Sequence, residues 1–125
     1  MLIALRILSG LMALMFLWNG ILWIFSPADV AADLGMPLLE GGAASTQIGD
    51  LGSFFLVGGI MMVLGQMPGR SAWLYPPALL LFGAALIRTL AALMGNASFS
   101  LDFIGAEIIM GAILVFTARK ISESS

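Results

Sequence analysis

Six side chains could form a site within this otherwise apolar chain: Asp50, Arg88, Glu107, Gln47, Asn19 and Asp102. Arg88 is the most demanding of them. It interrupts "PPALLLFGAALIRTLAALMG", Pro76 to Gly95, where the other nineteen of twenty residues are apolar, small or weakly polar. A charge at the centre of a membrane helix costs about 2.5–3.5 kcal/mol on insertion scales. Carboxylates would offset that cost, and the planar fork of a guanidinium can bridge two of them. Asp50 and Glu107 are the candidates. Two acids and one arginine total −1, and −2 with Asp102, so either a carboxyl group holds a proton or a cation completes the cluster. The first arrangement is a proton-exchange group and the second a cation site. An ion-pair network that only locks helices in register is the plain alternative.

The elements that must position these residues are membrane spans. Of 125 residues, 61% are hydrophobic and 10% charged, and mean hydropathy is +1.09. Soluble domains average about 25% charged residues. A spanning helix needs about 20 mostly apolar residues, and four such runs occur, over about 7–25, 48–66, 73–94 and 101–118. The expectation is all-α: one membrane domain over 1–125, an integral four-helix up-down bundle. The first run carries only Arg6 ahead of it, exceeds the usual length of a signal-peptide core and is followed by no clear cleavage site, so it reads as a retained helix. The net charge of −2 gives no electrostatic footprint for nucleic acid. Cysteine and histidine are absent. That removes thiolate nucleophiles, imidazole bases, the Cys or His ligation of haem and ordinary zinc sites. No cofactor is expected, and a metal would be a hard cation held by carboxylates and carbonyls.

Arg6, Arg70, Arg119 and Lys120 all fall on one side of an up-down chain. The positive-inside rule makes that side cytoplasmic, with both termini there, in a multi-pass protein of the bacterial inner membrane. Trp73 and Tyr75 then suit the inner interface and Trp23 the outer one. Depth follows from the turn between the last two spans. Arg88 lies seven residues before Gly95, and Glu107 seven after Ser100. At 1.5 Å per residue both sit about 10 Å below the outer helix ends. Asp50 enters the second span from the same face, and Asn19 lies about one and a half turns (~6 residues) before the outer end of the first. Each span therefore contributes a polar group to the outer third, with Asp102 nearer the surface. Ala84, Ala85, Ala91 and Ala92 flank Arg88 at helical spacing, and small residues admit a neighbouring helix. Thr46, Gln47, Asp50 and Ser53 form a polar stripe along the second span. The glycines of that span, Gly49, Gly52, Gly58, Gly59 and Gly65, suit close helix packing, and the nine methionines suit adaptable filling of the interior.

The first outer connection is patterned. "SPAD" offers Ser26 as N-cap, Pro27 at the first helical position and an acid at the third. "VAADLG" then ends at Gly35, and Pro37 blocks extension. A short surface helix over about 27–34 follows, with Val30, Ala31 and Leu34 on one face and Asp29 and Asp33 on the other. It is a packed connector or a lid. "EGGAAST" reads as a flexible link, and "MPGRS" as a tight hairpin.

"WNGILWIFSPADVAADLGM" resembles the first helix and following loop of small bacterial four-helix membrane proteins of the DoxX-like group, in a branch of unknown function. That branch carries an "E-x-R-x-x-(Y/F)-G-G" stretch opening helix 2, a "G-x-x-x-G-R" stretch late in helix 3 and a glutamate in helix 4. Here "QIGDLGSFFLVGG" stands for the first, with Gln47 where the acid is usual and Asp50 close to the usual arginine position. "GAALIRTLAALMG" supplies Arg88 with Ile87 in place of the glycine, and "DFIGAEIIMG" supplies Glu107. The resemblance covers most of the chain and implies a four-helix bundle with an altered charge pattern. Wider members are associated with quinone-linked sulfur oxidation, and no residue here carries that chemistry over.

Three function classes stay open. One is a protein that binds or transports a small molecule, cation or proton at Asp50, Arg88 and Glu107. Another is an accessory or assembly subunit in which the cluster is structural. The last is a membrane enzyme acting on a lipid or quinone with Glu107 or Asp50 as general acid or base. The bilayer is the expected environment, with a small molecule or cation as ligand. A homo-oligomer is expected because an inverted repeat, the usual basis of alternating access, is missing.

Overall fold

The computed structural model describes residues 1–124. Its helices are α1 (Leu2–Phe25), α2 (Pro27–Asp33), α3 (Gly41–Gly65), α4 (Tyr75–Leu93) and α5 (Leu101–Ser124), with a 3₁₀ turn at Ser71–Leu74. Four segments are long and apolar enough to cross a membrane: α1, α3, the 3₁₀ turn with α4, and α5. They pack against one another as an all-α four-helix bundle. Large apolar side chains such as Leu14, Ile60, Leu86 and Ile109 lie exposed on its outside. On a water-soluble protein that coat would be an aggregation liability, whereas lipid accepts it.

Each break between helices has a local cause. Pro27 lacks the N–H that would continue α1 and instead occupies the first turn of α2. Ser26 takes the N-cap position, but its side chain makes no capping bond. Gly35, at φ +78°, closes α2 with the paired bonds of a Schellman motif, Met36 N–H to Ala31 O at 3.0 Å and Gly35 N–H to Ala32 O at 2.9 Å. Gly95 ends α4 in the same way, with Asn96 N–H donating to Ala91 O at 2.9 Å. In the α3–α4 turn, Pro68 and Gly69 (φ +75°) precede Arg70, whose N–H donates to Met67 O at 3.1 Å. This is the pattern of a type II turn.

Helix limits differ from the sequence reading at three places. α1 starts at Leu2 rather than near residue 7, and α5 runs to Ser124 rather than 118. The larger correction is the "EGGAAST" link, which is helical from Gly41 and forms the first two turns of α3. Two glycines and a run of small polar residues suggested flexibility. Its alanines favour helix, and Gln47 ties this turn to the preceding loop.

The bundle consists of two tight pairs. α1 packs on α3, and α4 on α5, while α1 and α5 join the pairs and α3 and α4 barely touch. The α1–α3 seam is close because Gly20 lies against the Leu56 backbone, where a Cβ would come within 2.7 Å of the Leu56 Cα. Gly59 lies equally close to Leu17. The core is divided lengthwise. Met12, Phe16, Met62, Leu74, Leu81 and Leu114 fill the half nearest the basic end, where Arg6, Arg70, Arg119 and Lys120 lie. At the opposite end Trp23, Val30 and Ala31 form a second cluster beneath α2. Trp23 is completely buried there, so it is not the interfacial anchor that its sequence position suggested. α2 covers it, and its indole N–H has no acceptor among the described residues.

Candidate functional site

A cavity of about 400 Å³ lies between the two core clusters. Met15, Phe16 and Asn19 of α1 form one wall, Leu51, Phe54 and Phe55 of α3 a second, Ala84 and Arg88 of α4 a third, and Phe103, Ala106 and Glu107 of α5 a fourth. Leu34 and Met36, just after α2, close the end away from the basic residues. The lining is almost wholly apolar. Phe16, Phe54 and Phe55 pack edge-on or tilted with ring centroids 5.0–5.8 Å apart, within the favourable range for aromatic pairs.

Arg88 and Glu107 are the charged groups on this wall. Arg88 Nε–H donates to both carboxylate oxygens, at 3.0 Å to Oε1 and 3.2 Å to Oε2. The pair forms because the residues lie equally far from the α4–α5 turn and those two helices are in tight contact. The guanidinium carbon also lies 5.0 Å from the centroid of the Phe103 ring, in cation–π range. Glu107 is buried, with a side chain 9% exposed, while that of Arg88 is 42% exposed. Neither terminal nitrogen of Arg88 makes a hydrogen bond among the described residues. A guanidinium carries five N–H donors. One is used here, and the four on Nη1 and Nη2 stay available.

The other four residues of the expected cluster lie elsewhere or act differently. Asp50 is exposed on α3, and among the described residues it has no ion pair. It borders a separate groove between α3 and α4. Its rotation differs from the expectation, since α3 turns Leu51, Phe54 and Phe55 toward the cavity. The group that remains, Arg88 with Glu107, sums to zero. The charge deficit that asked for a proton or a cation is therefore gone, and no carboxylate cluster that could hold a metal occurs among the described residues. Gln47 is buried and serves the loop: its Oε1 accepts from Leu39 N–H at 2.9 Å, and its Nε2 donates to Pro37 O at 3.0 Å and to Met36 Sδ at 2.9 Å. Asn19 does reach the cavity wall. Its Nδ2 donates to Met15 O at 2.9 Å, which leaves the amide oxygen as an acceptor. Asp102 is exposed in the first turn of α5, where its charge suits the helix dipole.

Sequence reading missed a second polar cluster, near the basic end. Arg6 Nη1 donates to Gln66 O at 3.4 Å, and Gln66 Nε2 to Ser9 Oγ at 2.7 Å. Ser9 Oγ donates to Leu5 O at 2.8 Å, and Thr117 Oγ1 lies 3.4 Å from the same carbonyl. Ser9 and Thr117 are completely buried. These bonds staple α1, α3 and α5 together, and the available signal was three uncharged polar residues at one level of three spans. Comparison of the chain with protein-family models, with curated proteins and with solved structures finds no match.

Proposed function

We propose that this protein binds a small, mostly apolar molecule with a hydrogen-bond acceptor, seated in the cavity with its acceptor on the terminal N–H groups of Arg88. One observation carries this reading: Arg88 lines a largely apolar chamber, and its guanidinium spends only Nε on Glu107. Glu107 orients the fork, and the Asn19 amide oxygen offers a second polar contact. The volume of about 400 Å³ falls within the 300–1,000 Å³ typical of ligand pockets. Orientation belongs to the same proposal. The basic end faces the cytoplasm and the cavity lies in the outer half of an inner-membrane bundle, whose arrangement suits the DoxX-like resemblance. Transport is the extension of this reading in which the bound molecule leaves on the other side. A homo-oligomer belongs to it as well.

An accessory subunit with a structural ion pair is the second reading, favoured by the way Arg88 and Glu107 bridge α4 and α5. Thermal unfolding in detergent with a panel of small esters, ketones and carboxylic acids separates the two. A ligand at a hundredfold excess over its Kd stabilises by about 2.7 kcal/mol. Binding predicts that at least one compound raises Tm in wild type and not in Arg88→Met. A wild type indifferent to the whole panel leaves the structural reading.

A further inference from the structure

The α3–α4 groove is distinct from the cavity and touches it at one residue. It is an open groove of about 710 Å³, bordered by Asp50, Ser53, Phe54, Val57 and Met61 of α3 and by Pro76, Leu79 and Leu80 of α4. Phe54 lines both spaces. From Asp50 to Met61 the groove follows α3 for about 16 Å at 1.5 Å per residue. One leaflet of a bilayer core is about 15 Å thick. The groove lies between two membrane-spanning helices that barely meet, so it opens sideways into lipid. Its polar residues, Asp50 and Ser53, stand at the end away from the basic residues, and everything beyond them is apolar.

On the reading that the cavity binds a ligand, we infer that the ligand is a bilayer amphiphile: its head meets Arg88 in the cavity, and its hydrocarbon chain passes Phe54 and lies in the α3–α4 groove. From Phe54 to Met61 the groove gives the chain about 10 Å of apolar wall at 1.5 Å per residue, most of the depth of one leaflet core, and it runs in the direction of an outer-leaflet lipid whose tail points toward the membrane centre. Charge narrows the head. Arg88 and Glu107, the charged groups on the cavity wall, sum to zero, so the cavity offers no net positive charge for a phosphate and favours an uncharged acceptor such as an ester. Phe54 is then the specificity-determining residue, because it borders both the head chamber and the chain groove. Its packing on Phe16 and Phe55 holds it there.

A monoacylglycerol with a photoreactive diazirine near the end of its chain tests this in detergent-solubilised full-length protein, with peptide mass spectrometry as readout. The expected result is saturable labelling of Val57, Met61, Leu79 or Leu80, at least fivefold above labelling of Leu11 and Leu14 on the lipid-facing side of α1. Leu80→Trp fills the groove from an exposed position and should cut groove labelling at least fivefold. The same probe with a phosphate head should label the groove more weakly. Methyl benzoate, an ester without a chain, reports on the cavity alone, and its effect on Tm should survive Leu80→Trp. Groove labelling equal to that of Leu14, and unchanged in Leu80→Trp and Arg88→Met, overturns the inference. If methyl benzoate still stabilises wild type and not Arg88→Met, the cavity reading stands without it. If neither probe binds, both fall.

Discussion

At the scale of single residues, the chemistry rests on an unequal pair. Glu107 is buried while the Arg88 side chain is partly exposed, so the two truncations leave different remainders. Arg88→Met strands a buried carboxylate, and breaking a buried pair from one side costs about 3–5 kcal/mol. The partial exposure of Arg88 places the expected loss near the lower figure. Arg88→Met with Glu107→Gln removes both charges and should recover most of that loss, as thermal unfolding of the three proteins would show. A double variant no more stable than Arg88→Met would mean that the pair does not carry the coupling assigned to it. Asp50→Asn provides the contrast. Because Asp50 is exposed and has no ion pair among the described residues, the change should shift stability by no more than about 0.5 kcal/mol. A three-member cluster would instead have lost a bridging carboxylate.

At the scale of elements, two features decide how the cavity is enclosed. The α1–α3 seam depends on a missing Cβ at Gly20. Gly20→Ala would force the Leu56 backbone away and should destabilise by about 1–3 kcal/mol, as overpacking does. Gly10, on the same helix, has nothing within 4 Å of an added Cβ. Gly10→Ala should instead stabilise by about 0.5–1 kcal/mol, since alanine gives up less backbone entropy in a helix. Opposite signs for two Gly→Ala changes in one helix, read from unfolding midpoints, identify packing as the cause. The second feature is the seal at the end of the cavity. Gln47 holds the backbone at Pro37 and Leu39 while Met36 closes the cavity. Gln47→Leu removes both backbone bonds. Hydrogen exchange at the Leu39 amide should then quicken at least tenfold, with exchange in the middle of α1 unchanged. Equal protection of Leu39 in both proteins would show that the loop is held by something else. Short polar and small residues hid this arrangement in the sequence. "EGGAASTQ" has the composition of a linker, and only the contact across the bend shows why it is helical.

At the scale of the whole molecule, the basic residues gather at one end and the cavity lies toward the other. The proposed orientation, with the basic end in the cytoplasm, rests on that asymmetry through the positive-inside rule. Labelling from the periplasm with a membrane-impermeant maleimide should modify Ser98→Cys, in the α4–α5 turn, and spare Ser71→Cys, beside the α3–α4 turn. The reverse pattern would invert the assignment and move the cavity to the inner leaflet. The sequence by itself determined the four spans, the turns at Gly35, Pro68–Gly69 and Gly95, and the shared depth of Arg88 and Glu107. Each of these follows from a property that runs along one dimension, such as apolar run length, a residue's backbone freedom, or distance from a turn. Tertiary structure alone decided the rotation of α3, which carried Asp50 out of the site and Phe54 into it. It also decided the burial of Trp23 under α2, and the gap between α3 and α4. Those depend on which helices pair most closely. The pairing is set by side-chain fit across seams such as Gly20 on Leu56, between residues 36 positions apart in the chain, and no local pattern in the sequence records it.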